Sequence, residues 1–368
     1  MEPTLNRYLK VLCLILAALY LASVFHRSLT PRPDHSHLSQ LTERLALAGE
    51  FCDQVSPSLR GVFTRLALYL ETDPQRRALF TGEALPVETP SKMSPELHLW
   101  SLYRGQPEIR EQLRRLGYSG LLRLTYSAIP VLLILVTCAA LSIVGSRETV
   151  PPRQPSTPWS LWGVLATYFA WDLTHTYLLS PSLRATLPKT PPFLGLALLQ
   201  GLSLALLLLL LSRYYKSPES PTGLTASLGW IGQGYSMAFV GVFLIEEVQR
   251  YLGFTLPTPP VLSLLNKPGN VLLFSFLVVV LVPLYEELIF RRWLLGGLQP
   301  YLGPAGALWA SSALFALAHA SLLSLPALLL LGWVFGWTYL KSGSLLAVVV
   351  LHGLWNLTSV CHLMAAVP

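Results

Sequence analysis

Pro283-Leu284-Tyr285-Glu286-Glu287-Leu288-Ile289-Phe290-Arg291-Arg292 follows directly on an apolar run at residues 271–282. The run has the composition of a transmembrane helix, so two adjacent carboxylates arrive at or just inside the membrane boundary. Hydrocarbon solvates charge poorly, and an ionisable group there needs a partner, which marks it as a functional-site candidate. On a helix, Glu287 and Arg291 are four apart and share a face, whereas Glu286 points about 100° away. The spacing predicts one carboxylate held in an ion pair and one free to work.

The rest of the chain has a matching character. Of its 368 residues, 52% are hydrophobic and only 12% charged. Runs of roughly 18 or more mostly apolar residues read as spanning helices, and they fall at 126–144, 159–179, 192–211, 226–245, 271–290, 305–323, 325–340 and 345–367. A shorter run at 11–25, preceded by Arg7 and Lys10, reads as an N-terminal signal anchor over 1–27, since Ala22-Ser23 is a poor cleavage site. Residues 28–120 turn polar, with apolar positions at helical spacing and breaks at Pro57, Pro74, Pro86 and Pro95. The expected fold is therefore all-α: a polytopic membrane helical bundle of about eight core spans at 121–368, with an anchor helix and a small soluble helical region before it.

A formal charge of +7 invites a nucleic-acid reading, but no basic stripe interleaved with aromatics is present. Loop Lys and Arg facing anionic lipid account for the charge, so the expected partner is the bilayer and not nucleic acid. Basic residues fall on both sides of the spans, so the positive-inside bias leaves the orientation open. Cys13, Cys138 and Cys361 sit in apolar runs and Cys52 stands alone, which gives no disulfide or zinc-ribbon spacing.

Two further polar pairs lie in the last third. Phe315 and His319 are four apart, so the aromatic ring can shield and orient the imidazole from one turn below. His352 and Asn356 are also four apart and project from one face of an otherwise apolar helix. A single membrane histidine or asparagine is more often an interhelical hydrogen-bonding group than a catalyst. Three such faces on neighbouring helices, each costly to bury unpaired, point instead to one water-accessible cavity. There a carboxylate and an imidazole can share and deprotonate a water, while a second imidazole and a carboxamide donate to the oxyanion formed at an amide carbonyl.

Glu286-Glu287-x-x-x-Arg291, Phe315-x-x-x-His319 and His352-x-x-x-Asn356 resemble the three motifs of the CPBP superfamily. That family contains the Ras-converting type of CAAX prenyl endopeptidase and many bacterial relatives. The resemblance covers about the last 140 residues well; motif order and spacing carry it, each motif alone being weak. It implies an intramembrane endopeptidase in which Glu286 and His319 activate water, His352 and Asn356 form the oxyanion site, and Glu287, Arg291 and Phe315 support them. It implies a membrane-associated protein or peptide as substrate and a multi-pass protein of, in the bacterial case, the plasma membrane. The family is described both as metal-dependent and as a metal-free glutamate-type protease. The cofactor is thus either none or a divalent metal such as zinc, which two His and a Glu can hold. Carry-over stops at about residue 120, and nothing in the chain marks its substrate as prenylated.

Several other features are decoys on this reading. Glu246-Glu247-Val248-Gln249-Arg250 resembles the first motif but sets Arg three positions after the second Glu, which suits a charge cluster at the membrane edge. Asp172 and His175 suit a polar brace. Asn356-Leu357-Thr358 matches a glycosylation acceptor inside a span. His-Glu-x-x-His and the other membrane-protease signatures are missing. The competing readings are a non-proteolytic scaffold or immunity-type member of the same superfamily, and a transporter using Glu and His as a proton relay.

Overall fold

The structure, a computed structural model, describes residues 10–21, 128–147, 160–186, 192–214, 224–252 and 268–366. The soluble region expected at 28–120, with Cys52, and the expected N-terminal boundary at 22–27 lie outside the described residues. Among the described residues every regular element is helical. In chain order they are α1 (Lys10–Leu21) and α2 (Ala128–Val144), then α3 (Leu161–Thr174), which continues through a π-helical turn (His175–Leu179) into Ser180–Thr186. Helix α4 (Pro192–Tyr214) and α5 (Leu228–Tyr251) follow. The last third holds α6 (Pro268–Phe276), a π turn (Leu277–Leu281), α7 (Val282–Glu287), a longer π segment (Leu288–Leu295) and α8 (Gly296–Ala318). It closes with α9 (Leu325–Ser342) and α10 (Leu345–Ala366).

Beside an apolar core, several large apolar side chains are exposed and several polar ones are fully buried. Ile143 is 79% and Leu272 75% exposed, while Glu287, Arg291, Ser312, Thr338 and Ser342 are at 0%. Apolar side chains facing outward and polar ones inward is what a lipid solvent demands. Three described helical stretches, Leu224–Gln249, Asn270–Ala318 and Leu345–Met364, are long and apolar enough to cross a membrane. The chain is an integral membrane protein.

Of the described residues, those in 10–21, 134–246 and 268–357 belong to one compact unit, which holds every candidate site residue; those in 128–133, 247–252 and 358–366 belong to a second. In the first unit, α1 buries Cys13 and Tyr20. The Tyr20 hydroxyl lies 3.2 Å from that of Tyr168 on α3 and 3.4 Å from the Leu314 carbonyl oxygen on α8. A ladder of indoles, Trp230, Trp337, Trp333 and Trp309, joins α5, α9 and α8 with ring centroids 5.5 to 6.3 Å apart.

The expected spans fall on these helices, which run past the expected ends to Thr186, Tyr214 and Tyr251; two differences are larger. Residues 291–304, expected to separate spans, are helical up to a break at Gly303 (φ 66, ψ 171), between Pro300 and Pro304. Proline removes a donor at each side and glycine supplies the positive φ, so the turn falls there. The span expected at 305–323 ends at Ala318, because His319 caps the helix and Ala320 takes φ 48, a region that L residues enter at a cost.

Pro283 explains the first π turn. It has no N–H for the carbonyls of Val278 and Val279, five and four residues before it, and the helix widens over Leu277–Leu281, with the Val282 N–H reaching back to the Leu277 oxygen. Helix α10 comes close at this point: a Cβ on Gly353 would stand 2.8 Å from the Val279 oxygen. Gly353→Leu should force α10 away from the π turn and lower stability by about 1–3 kcal/mol, as overpacking does. Unfolding of the purified protein in detergent checks this, with Gly201→Leu, where a side chain meets open space, as the control expected to unfold like wild type.

Candidate functional site

Glu287 lies at the end of α7 and Arg291 one turn on, in the π segment, where both are fully buried. Arg291 Nε is 2.9 Å from Glu287 Oε2. The contact is an ion pair off the hydrogen-bond axis, and the two terminal guanidinium nitrogens have no hydrogen-bond acceptor. They meet aromatic faces instead: the guanidinium carbon lies 5.0 Å from the Phe315 ring centroid, 5.7 Å from Phe335 and 5.9 Å from Phe290. Ring quadrupoles and one carboxylate thus replace the water that the cation gave up.

The other oxygen of Glu287 reaches a different helix. His352 Nδ1 on α10 is 2.8 Å from Glu287 Oε1. With Nδ1–H donating to the carboxylate, Nε2 is the ring's outer nitrogen, and it faces Glu286, 3.8 Å from Oε2. The imidazole is packed by Phe335 at 4.7 Å and Phe315 at 6.0 Å between centroids. Glu286 is the less committed carboxylate: its side chain is 18% exposed, while its Oε2 is buried and has no hydrogen-bond partner.

His319 is arranged in parallel. Its Nδ1 lies 2.8 Å from the Phe315 carbonyl oxygen, which can only accept, so Nδ1 carries the proton and a neutral ring keeps Nε2 as acceptor. The ring is exposed at the end of α8 and rests on Phe315, centroids 4.8 Å apart. Phe315 therefore stands between the two imidazoles. His319 makes no hydrogen bond to Glu286.

Asn356 Nδ2 donates to the Val278 carbonyl at 2.8 Å, one of the oxygens that Pro283 leaves without an amide. The second N–H of that carboxamide makes no other hydrogen bond among the described residues, and Asn356 lies inside a helix. In the longer π segment, Ser311 donates to the Phe290 carbonyl at 2.6 Å. The geometry therefore gathers Glu286, Glu287, Arg291, Phe315 and His352 directly, links His319 through Phe315, and ties Asn356 to the turn that precedes the Glu pair.

Residues that sequence reasoning did not single out also contribute. Phe335 packs both His352 and Arg291 but sits in an apolar run with nothing to distinguish it. Trp171 donates from Nε1 to the Tyr285 hydroxyl at 2.8 Å. His175, expected from the sequence to be part of a polar brace, lies 6.0 Å from the Tyr285 ring. The decoy Glu246 and Glu247 lie in the last turns of α5.

Among the described residues no three His, Cys, Asp or Glu side chains stand together as a metal site would require. Glu287 is shared between Arg291 and His352, while the Nδ1 contacts of His319 and His352 leave each Nε2 as the ring's available nitrogen.

The family model for type II CAAX prenyl endopeptidase Rce1-like proteins matches residues 268–358. Over these residues the chain is similar to Rce1-like proteins, which supports a place in the CPBP superfamily. The Rce1-like segment runs from the start of α6 into α10 and contains all three motifs. No curated protein and no solved structure matches the chain.

Removing one member of the buried pair leaves the other uncompensated. Glu287→Ala should cost about 3–5 kcal/mol, and the double variant Glu287→Ala/Arg291→Met should recover much of it. Chemical unfolding of both in detergent checks this; equal loss in single and double variants would remove the ion pair as the stabilising contact.

Proposed function

We propose that the protein is an intramembrane endopeptidase in which Glu286 and His319 activate water for attack on a peptide bond. The observation that carries this reading is the Glu286 carboxylate, whose Oε2 has no hydrogen-bond partner and lies 3.8 Å from His352 Nε2. That distance is too long for a direct hydrogen bond, so the carboxylate keeps its capacity to take a proton from water.

Water bound to Glu286 Oε2 loses a proton to the carboxylate as its oxygen bonds to the carbonyl carbon; His319 Nε2 accepts from the same water and orients it. The carbonyl oxygen becomes an oxyanion and takes hydrogen bonds from His352 Nε2 and from the second N–H of Asn356. Donation from Nε2 while Nδ1–H is held by Glu287 requires the doubly protonated ring. The tetrahedral intermediate then breaks its C–N bond, and the proton on Glu286 passes to the leaving amine. Glu287 and Arg291 hold the ring that does the stabilising, and Phe315 packs both imidazoles. Every step uses residues of this chain and no metal.

The substrate class is a membrane-associated protein or peptide. The family description supports a prenylated CAAX tail as the first probe, and a farnesylated, internally quenched CAAX peptide supplies it. Substrate capture by Glu286→Gln protein in native membranes, read by mass spectrometry against wild type, identifies the natural substrate.

Glu286→Ala and His319→Ala should each abolish cleavage while the protein stays folded in the membrane. His352→Ala or Asn356→Ala should lower kcat by ~10²–10³, the loss expected of an oxyanion donor. Turnover assays with detergent-purified variants check both. A Glu286→Ala protein with full biological function would favour the non-proteolytic scaffold reading.

A further inference from the structure

Glu286 sits on α7, an α-helical segment of only six residues with a π segment on each side. Such a segment has little of its own to fix its rotation about the axis, because each π turn shifts the helical phase. Successive residues project about 100° apart, so the directions of Tyr285 and Glu287 flank that of Glu286. On one flank Glu287 is held by Arg291 and His352. On the other, the Tyr285 hydroxyl accepts from Trp171 Nε1 at 2.8 Å. Tyr285 is 8% exposed, and Trp171 lies on α3, outside the Rce1-like segment.

The opposite flank carries further polar character. The His175 ring lies 6.0 Å from that of Tyr285, and its Nε2 is buried with no hydrogen-bond partner. Asp172 lies within electrostatic reach of Tyr285. Helix α3 thus turns a polar corner, Trp171 to His175, towards the residue next to Glu286, where lipid-facing leucine would serve for packing alone.

We propose that Tyr285, clamped by Trp171, is a positioning residue: with Glu287 on the other flank it fixes the rotation of α7 so that the Glu286 carboxylate keeps an oxygen unbonded in the site. Helix α3 is then part of the catalytic apparatus, although it carries none of the three motifs. The inference rests on Glu286 being the water-activating group.

The test uses the full-length protein in lipid nanodiscs. Tyr285→Phe keeps the ring and removes only the hydroxyl, and Trp171→Phe removes the Nε1 donor together with part of the indole. Each should lower kcat on the farnesylated CAAX peptide about tenfold, which corresponds to one well-aligned hydrogen bond, with KM unchanged. The double variant should lose no more than either single one.

A second readout needs no substrate. Dicyclohexylcarbodiimide labelling, mapped by mass spectrometry, should modify Glu286 and spare Glu287 in wild type, and modification of Glu286 should fall severalfold in both variants as the carboxylate swings towards Arg291. Unchanged labelling in both variants overturns the clamp, whether or not the peptide is cleaved. Additive losses of kcat, or a change in KM alone, also overturn it. Full turnover by Glu286→Ala sinks the hydrolase reading instead, whereas an inactive Glu286→Ala beside wild-type kcat and labelling in Trp171→Phe removes the clamp only.

Discussion

The arrangement depends on one carboxylate shared between two partners. Glu287 has no solvent exposure, and in a lipid-surrounded interior its charge is tolerable only with compensation on every side. Arg291 meets one oxygen and the His352 ring the other. The same residue thus neutralises a buried cation within its own helical path and docks a helix that is 65 residues away in sequence. Through that second contact, the direction of His352 Nε2 towards Glu286 follows from the ion pair. Three phenylalanine faces around Arg291, two of which also pack His352, make the charge pair and the imidazole one packed object.

Backbone defects locate that object. Pro283 strips two carbonyls of their amide, and the protein uses the resulting π turn as a docking point. Asn356 bonds to the Val278 oxygen, and Gly353 lets α10 approach the Val279 oxygen. Polar side chains on α10 are thereby registered against the main-chain carbonyls of the helix that bears the Glu pair. The end of α8 does the same for the other imidazole. Termination at His319, with Ala320 at positive φ, leaves the ring at an exposed helix end where a continuing helix would have covered it.

Much of this was legible in the sequence because the physics was local. The spacing of four between Glu287 and Arg291 is itself a statement about a helix face, and uninterrupted apolar runs of membrane length leave few alternatives to spanning helices. The rest depended on tertiary contacts. No spacing announces that Glu287 holds His352, since the partner is set by how α10 docks. Asn356 reads as a free donor until the carbonyl stranded by Pro283 is seen beside it. A π segment such as Leu288–Leu295 has the same composition as an α-helix, so the true rotation of Phe290 and Arg291 could not be read from a 3.6-residue period. Trp171 lies in an apolar run more than 100 residues before the Glu pair, where an indole looks like packing.

The most direct test of the central claim is nitrogen-15 NMR of histidine-labelled protein in nanodiscs, with the His352 signals assigned by loss in His352→Gln. The shared carboxylate predicts a His352 Nδ1 that is protonated and hydrogen-bonded in wild type, and whose shift moves when Glu287 is replaced by Gln. A His352 whose Nδ1 carries no proton, or whose spectrum is indifferent to Glu287→Gln, would contradict the account.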